Sequence, residues 1–271
     1  MYQKQKDLQL QYEGFLQTPF LWHGKGVFDL EQFTVSKVIT SSFSEEITQK
    51  LRLGKLVERF VSFQLNQDTS VSILAENIQI QKEKITVGEL DCLLLKNEKP
   101  IHLEVIYKFY LYDDTVGNSE IEHWIGPNRR DSLIQKLTKL QEKQLPLLYS
   151  YHTKTYLDEL KLNVDEIIQQ VYFKAQLFVP LQDINKEFTL VNNECIYGFY
   201  IYPKELVQFS DCKFYIPNKN NWLVNPHPNV DWLNFESYQN KLQQFLNEEN
   251  APLCWLKKPN GELLKFFVVW W

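Results

Sequence analysis

Glycine is scarce, nine residues in 271. Neither GxGxxG nor a Walker-type GxxxxGKS/T string occurs, which excludes the glycine-rich turns that cradle nucleotide phosphates. The four cysteines, Cys92, Cys195, Cys212 and Cys254, are far apart and form no CxxC pair, so a zinc knuckle and a disulfide framework are both disfavoured. No apolar run approaches the ~20 residues of a membrane-spanning helix, and the opening Met1-Tyr2-Gln3-Lys4-Gln5-Lys6-Asp7 is too polar for a secretory leader. A cytoplasmic protein with no membrane partner is expected. Positive charge is not in excess either: 29 Lys+Arg face 34 Asp+Glu, a net charge of −5. Any contact with nucleic acid must then come from a local patch. His23, His102, His123, His152 and His227 are scattered, which suits structural or exposed histidines better than a histidine metal site.

What is present is a core. Hydrophobic residues make up 44% and aromatics 14%, with seven tryptophans; those at 222, 232, 255, 270 and 271 read as core or interface, with base stacking the lesser alternative. The length suits one large domain or two small ones. Residues 1–51 read as a polar wrapping extension with aromatic islands at Phe15, Phe20, Leu21 and Trp22. From Leu53, the residues Leu56, Val57, Phe60, Val61 and Gln64 recur at helical spacing, and Glu58 falls at the edge of that stripe. Three strand patterns follow: Ser72–Gln81, Val87–Leu95, and Ile101–Leu111, the last two joined by a turn at Lys96–Pro100. A second helix is predicted from Asp131 to Leu145, with Leu133, Ile134, Leu137, Leu140 and Gln144 on one face and Lys136, Lys139 and Lys143 on another; Pro146 is expected to end it. A strand at Gln169–Pro180 completes a core of residues 52–180. Residues 181–271 form an aromatic-rich α+β portion, with strands near 197–202 and 213–216, a helix near 235–246 and a closing hairpin around Pro259-Asn260-Gly261-Glu262.

The chemistry concentrates on the middle hairpin. Carboxylates amid Leu, Val and Ile are costly to bury unless partnered. Strand alternation puts Asp91 on the face of Glu89 and Leu93, and Glu104 on the face of His102, Ile106 and Lys108. A hairpin then sets Asp91 beside Glu104. Two such carboxylates repel unless a cation lies between them, and oxygen ligands suit Mg²⁺, Mn²⁺ or Ca²⁺, with Mg²⁺ or Mn²⁺ the expected cofactor. Glu58 offers a third oxygen ligand, and Lys108 an ammonium to position water or offset charge on a reacting phosphate.

Helix, three strands, helix, strand, with Asp91 on one strand and Glu104 on the next, resembles the PD-(D/E)xK nuclease-like superfamily. The expected fold class is therefore α/β, a PD-(D/E)xK nuclease-like core carrying an α+β C-terminal extension. That family's spacing places its lysine at position 106, where this chain has Ile106. Lys108 keeps the same strand face roughly 7 Å further along, and Lys136 on the second helix is the alternative ammonium. At closer range, Leu53-Gly54-Lys55-Leu56-Val57-Glu58, Gly88-Glu89-Leu90-Asp91, His102–Leu111, Trp124-Ile125-Gly126-Pro127-Asn128 through Asp131, Lys136-Leu137 and Lys143-Gln144-Leu145-Pro146 resemble the bacterial family called domain of unknown function 1853. This resemblance is good over about residues 52–180 and implies the nuclease-like fold.

Between Trp124 and Lys154, six basic residues face two acidic ones. Arg129, Arg130 and Lys136 are the candidate phosphate contacts, and Gln141 and Gln144 lie near enough to the apolar face to hydrogen-bond inside the site. The expectation is a metal-dependent phosphodiester hydrolase acting on nucleic acid, with catalytic Asp91, Glu104 and Lys108 and metal ligands Glu58, Asp91 and Glu104. The alternative is a nuclease-fold binding or scaffold protein without the reaction.

Overall fold

The computed structural model describes residues 2–35 and 42–271. Its strands form one mixed sheet of nine, not the small three-stranded sheet expected for the core. The difference arises because the aromatic C-terminal strands hydrogen-bond into the sheet instead of forming a layer of their own. In order they are β1 (Val71–Lys82), β2 (Ile85–Lys96), β3 (Lys99–Tyr112), β4 (Trp124–Ile125), β5 (Ile168–Pro180), β6 (Ile196–Ile201), β7 (Lys213–Tyr215), β8 (Leu253–Lys257) and β9 (Leu263–Val268). Hydrogen-bonded neighbours run β1-β2-β3-β5-β6-β9-β8-β7, with β4 on β3.

The chain forms two compact units, each assembled from separate segments. One comprises residues 20–107 and 135–174, the other residues 1–19, 108–134 and 175–271. Strands β3 and β5 each contribute residues to both.

In the first unit, helix α2 (Leu53–Leu65) buries the expected stripe: Leu56, Val57, Phe60 and Val61 are almost wholly shielded. Phe43 closes on Phe60 and Phe63 with rings about 5 Å apart, edge to face, the favoured aromatic geometry. The islands at 20–22 lie along β5, where the Leu21 N–H donates to the Phe173 carbonyl and Trp22 packs on the Phe173 ring. Strands β1, β2 and β3 form an antiparallel meander. Its second turn is Asn97-Glu98, both at positive φ (48° and 66°), the two-residue geometry whose twist matches a hairpin.

The second predicted helix is shorter than its pattern. Helix α3 (Leu133–Lys139) passes into a π-helical turn at Leu140–Gln144 and a 3₁₀ turn at Leu145–Tyr149. Pro146 does not end the helical run. It sits in the first turn of the 3₁₀ segment, where a missing N–H costs nothing.

In the second unit, the N-terminal segment begins with helix α1 (Tyr2–Gln17). Gly14 faces the Leu223 carbonyl so closely that a Cβ there would lie 2.0 Å from the oxygen. Strand β6 runs parallel to both β5 and β9, and β8 and β9 form the expected closing hairpin. Helix α5 (Phe235–Asn247), capped by the Asn234 side chain, presents Tyr238 and Leu242 to this core; Tyr238 stacks on Phe214 at 4.2 Å. A short helix α4 (Lys154–Glu159) belongs to the first unit. Among the described residues, no helix is long and apolar enough to cross a membrane.

Candidate acidic site on the β2–β3 hairpin

The β2–β3 ladder pairs Leu93 with His102 and Cys92 with Leu103. One step beyond, Asp91 and Glu104 stand opposite each other, and the ladder opens. The freed N–H of Val105 donates to Asp91 Oδ2 at 2.9 Å, so the carboxylate takes a position a backbone carbonyl would otherwise fill. Burial and the neighbouring Glu104 charge push the Asp91 carboxyl up to about 7. The Val105 N–H and the Lys136 ammonium oppose that rise, and Glu58 adds to it.

Glu104 is fully buried and both its oxygens accept hydrogen bonds. Gln144 Nε2 donates to Oε2, and His102 Nε2 lies 3.1 Å from Oε1. The proton positions follow from the partners. Gln169 Nε2 donates to the Leu145 carbonyl at 2.7 Å, so that atom is the amide nitrogen; it also lies 2.9 Å from His102 Nδ1. His102 Nδ1 therefore accepts, the proton resides on Nε2, and a neutral imidazole donates to Glu104. Gln144 is oriented the same way, because its Oε1 accepts from Lys136 Nζ at 2.7 Å. Gln169, His102, Glu104, Gln144 and Lys136 thus make one hydrogen-bonded chain, and the π-helical turn is the element that carries Gln144 to Glu104.

Glu58 lies further out. Lys55 donates to both Glu58 (2.7 Å) and Glu89 (2.6 Å) and also to the side-chain Oδ1 of Asn77. Burial raises the Glu58 carboxyl, Lys55 opposes this, and Glu89 and Glu104 add to it. Among the described residues, no group of three or more His, Cys, Asp or Glu side chains is gathered as a multi-ligand metal centre would need.

The structure brings Asp91, Glu104 and Lys136 together, with Glu58 at the margin. Lys108 has another partner: its Nζ bonds Asp131 Oδ2 at 2.6 Å. Arg129 forms an ion pair with Asp113 and lies over the Trp271 ring at 4.1 Å, which supports its left-handed backbone (φ 56°). Arg130 is exposed. The Trp124–Asp131 motif has a structural reading within its unit. Gly126 leaves room for Asp131, whose Oδ1 would lie 1.9 Å from a Cβ there; Asn128 Oδ1 accepts from the Ala251 N–H, and the Pro127 carbonyl accepts from Trp271 Nε1. Gln141 donates to the Phe28 carbonyl rather than to the acids. Sequence reasoning did not single out Gln169, and it left His102 among the scattered histidines. The usable signal for His102 was its place two residues before Glu104 on the same strand face.

Fold and site define a mixed α/β protein with a paired-carboxylate hairpin backed by a buried amide–imidazole network. Its sequence matches the family described as domain of unknown function (DUF1853) over residues 31–269, and the chain belongs to that family. No curated protein and no solved structure matches it.

Proposed function

We propose that this protein is a divalent-cation-dependent phosphodiester hydrolase with a PD-(D/E)xK nuclease-like core, acting on nucleic acid through Asp91 and Glu104. One observation carries the reading: two carboxylates from neighbouring strands stand opposite each other, and burial together with the Glu104 charge holds the Asp91 proton on up to about pH 7. Such a pair needs a proton or a cation between its members. The donor set fits Mg²⁺ or Mn²⁺, which commonly take one or two carboxylates and fill the remaining positions with water; the lack of a third gathered acid is compatible with that. A bound ion would activate a water and polarise a phosphoryl oxygen.

The remaining roles belong to the chain. Asp91 keeps some exposure and would reach an arriving ion, while Glu104 is held in one orientation by His102 and Gln144. Lys136 supplies the ammonium in place of Lys108, offsetting negative charge as a phosphate approaches. The exposed Lys139 and Lys143 on the same helical run would attract the phosphate backbone. Glu58, tied to Lys55, adjusts the local field.

A second reading has its own support. Glu104 already accepts on both oxygens, and Lys108 is bonded to Asp131; both suit a fold that binds nucleic acid without cutting it. Cleavage of mixed DNA and RNA is assayed with Mg²⁺ and with Mn²⁺, comparing the natural protein with Asp91→Asn, Glu104→Gln and Lys136→Met, alongside Mn²⁺ binding by calorimetry. The hydrolase reading expects metal-dependent cleavage lost in all three variants and Mn²⁺ binding lost in the two acid variants. Nucleic-acid binding without turnover would favour the second reading, and cleavage unchanged in both acid variants would place the activity elsewhere.

A further inference from the structure

A groove of about 450 Å³ lies within the unit of residues 20–107 and 135–174, where the helical run that serves the acidic hairpin passes into α4. Its floor is apolar: Leu148 and Leu157 are buried there, and Leu162 and Val164 close it. Its rim carries two aromatic rings that the fold leaves in solvent, Tyr149 at 57% and Tyr151 at 84% exposure. Rings so exposed contribute little packing to their own unit.

One short stretch of chain joins the groove to the acid pair. Gln144 donates to Glu104. Leu147 covers Gly88 on β2 so closely that a Cβ there would lie 2.6 Å from its Cδ2. Tyr149 follows, about 10 Å beyond Gln144 at the ~2.0 Å rise of a 3₁₀ turn. Charge along this stretch is opposite to that of the whole chain: residues 135–164 hold five lysines against three acids, in a protein of net charge −5. Lys139, Lys143 and Lys154 are exposed, and among the described residues none of the three forms an ion pair. Of the acids, Asp158 lines the groove and is exposed. A carboxylate there repels a phosphate but accepts from the exocyclic amine of cytosine, adenine or guanine.

We infer that the substrate of the acidic hairpin is a single-stranded nucleic acid, with an unpaired base in this groove against Tyr149 and Tyr151 and its phosphates along Lys139, Lys143 and Lys154. The inference rests on the hydrolase reading of the hairpin and adds its substrate class. In a duplex each base face is covered by its neighbours, whereas a single strand offers its bases to aromatic side chains. A tyrosine ring stacks on any base; Asp158 then favours one with an exocyclic amine over uracil or thymine. A protein partner would also use the rings and the apolar floor, but unpaired lysines leading to a carboxylate pair match a phosphate backbone.

The test measures binding of the full chain to end-labelled oligonucleotides by fluorescence anisotropy, in chelator and at fixed salt, so that it needs neither metal nor turnover. Mixed-sequence single strands should bind about tenfold or more tightly than the duplex of the same sequence, and oligocytidine more tightly than oligouridine. Replacing both Tyr149→Ala and Tyr151→Ala should cost about tenfold or more in single-strand affinity, the scale of a lost base stack, at a melting temperature close to that of the natural protein. The paired variant Tyr149→Phe with Tyr151→Phe should keep the affinity, and Asp158→Ala should erase the preference for cytidine. Binding of this kind supports the inference whether or not Mg²⁺ or Mn²⁺ then brings cleavage, which tests the hydrolase reading by itself. Equal affinity for the duplex, affinity unchanged in the alanine pair, or self-association of the chain that the alanine pair abolishes would overturn the inference, even where metal-dependent cleavage is present.

Discussion

A carboxyl that faces another carboxyl across a strand pair makes the protein sensitive to pH in a defined direction. The Asp91 carboxyl rises from 3.8 to about 7 on folding, so the native state holds this proton more tightly than the unfolded chain does. The stability this contributes is complete below about pH 4, where both states are protonated, and is lost as pH rises towards 7. Each tenfold gain in proton affinity is worth about 1.4 kcal/mol. Asp91→Asn keeps an acceptor for the Val105 N–H and removes the charge. In chelator it should be more stable than the natural protein above about pH 7, by a few kcal/mol, with the difference shrinking towards pH 4. Urea unfolding at several pH values measures this, and a difference independent of pH would refute a carboxyl raised by burial and by Glu104. At this scale much was legible: alternation along two strands was enough to set Asp91 opposite Glu104. The partner of Lys108 was not, because the Lys108–Asp131 bond joins residues 23 apart in the chain.

Among the elements, the π-helical turn at Leu140–Gln144 does what an unbroken α-helix would not. By adding a residue to one turn it changes which side chains face the sheet, and such turns recur at functional sites. The apolar pattern of 131–145 predicted one continuous helix because period-3.6 matching counts buried leucines and does not register where hydrogen bonding changes from i+4 to i+5. It still put Gln144 on the inward face. Gln144→Leu should leave Glu104 Oε2 without its donor and cost about 1–3 kcal/mol, while Gln141→Leu, which removes an exposed bond to the Phe28 carbonyl, should cost under about 1 kcal/mol. Chemical denaturation of the two variants checks this; equal losses would mean the π turn does not single out Glu104. The sheet was the larger surprise. The β8–β9 hairpin was predicted, but the parallel pairings of β6 with β5 and β9 were not, since partners in a parallel arrangement are set by contacts far apart in sequence. Gly198 marks one such approach: a Cβ there would lie 2.0 Å from the Lys265 carbonyl oxygen. Gly198→Ala should therefore destabilise the β6–β9 pair, read as a lower melting temperature than that of Gly261→Ala, whose turn has open space around it but a φ of +88°.

Over the whole molecule, cysteine and charge give separate tests. All four thiols are free and buried; burial raises Cys254 to about 12, and burial with Asp211 raises Cys212 to about 11. A thiol reagent should therefore label none of them quickly in the native protein and all four in denaturant, and rapid native labelling would mean one unit opens readily.

The net charge of −5 makes a stronger demand on the proposed function. An acidic chain repels nucleic acid as a whole, so binding must rest on few phosphate contacts. The salt dependence of affinity counts them, because each neutralised phosphate of a duplex contributes a slope of about −0.9 in log K against log salt. If Lys136, Lys139 and Lys143 are the contacts, the slope should be about −2 to −3 and binding weak at physiological salt. Lys139 and Lys143 are exposed, so replacing both by glutamine should leave stability nearly unchanged while reducing the slope by about 2. Fluorescence anisotropy over a salt series gives both slopes. An unchanged slope in the double variant would move the nucleic-acid surface away from this helical run and separate the acidic hairpin from the substrate proposed for it.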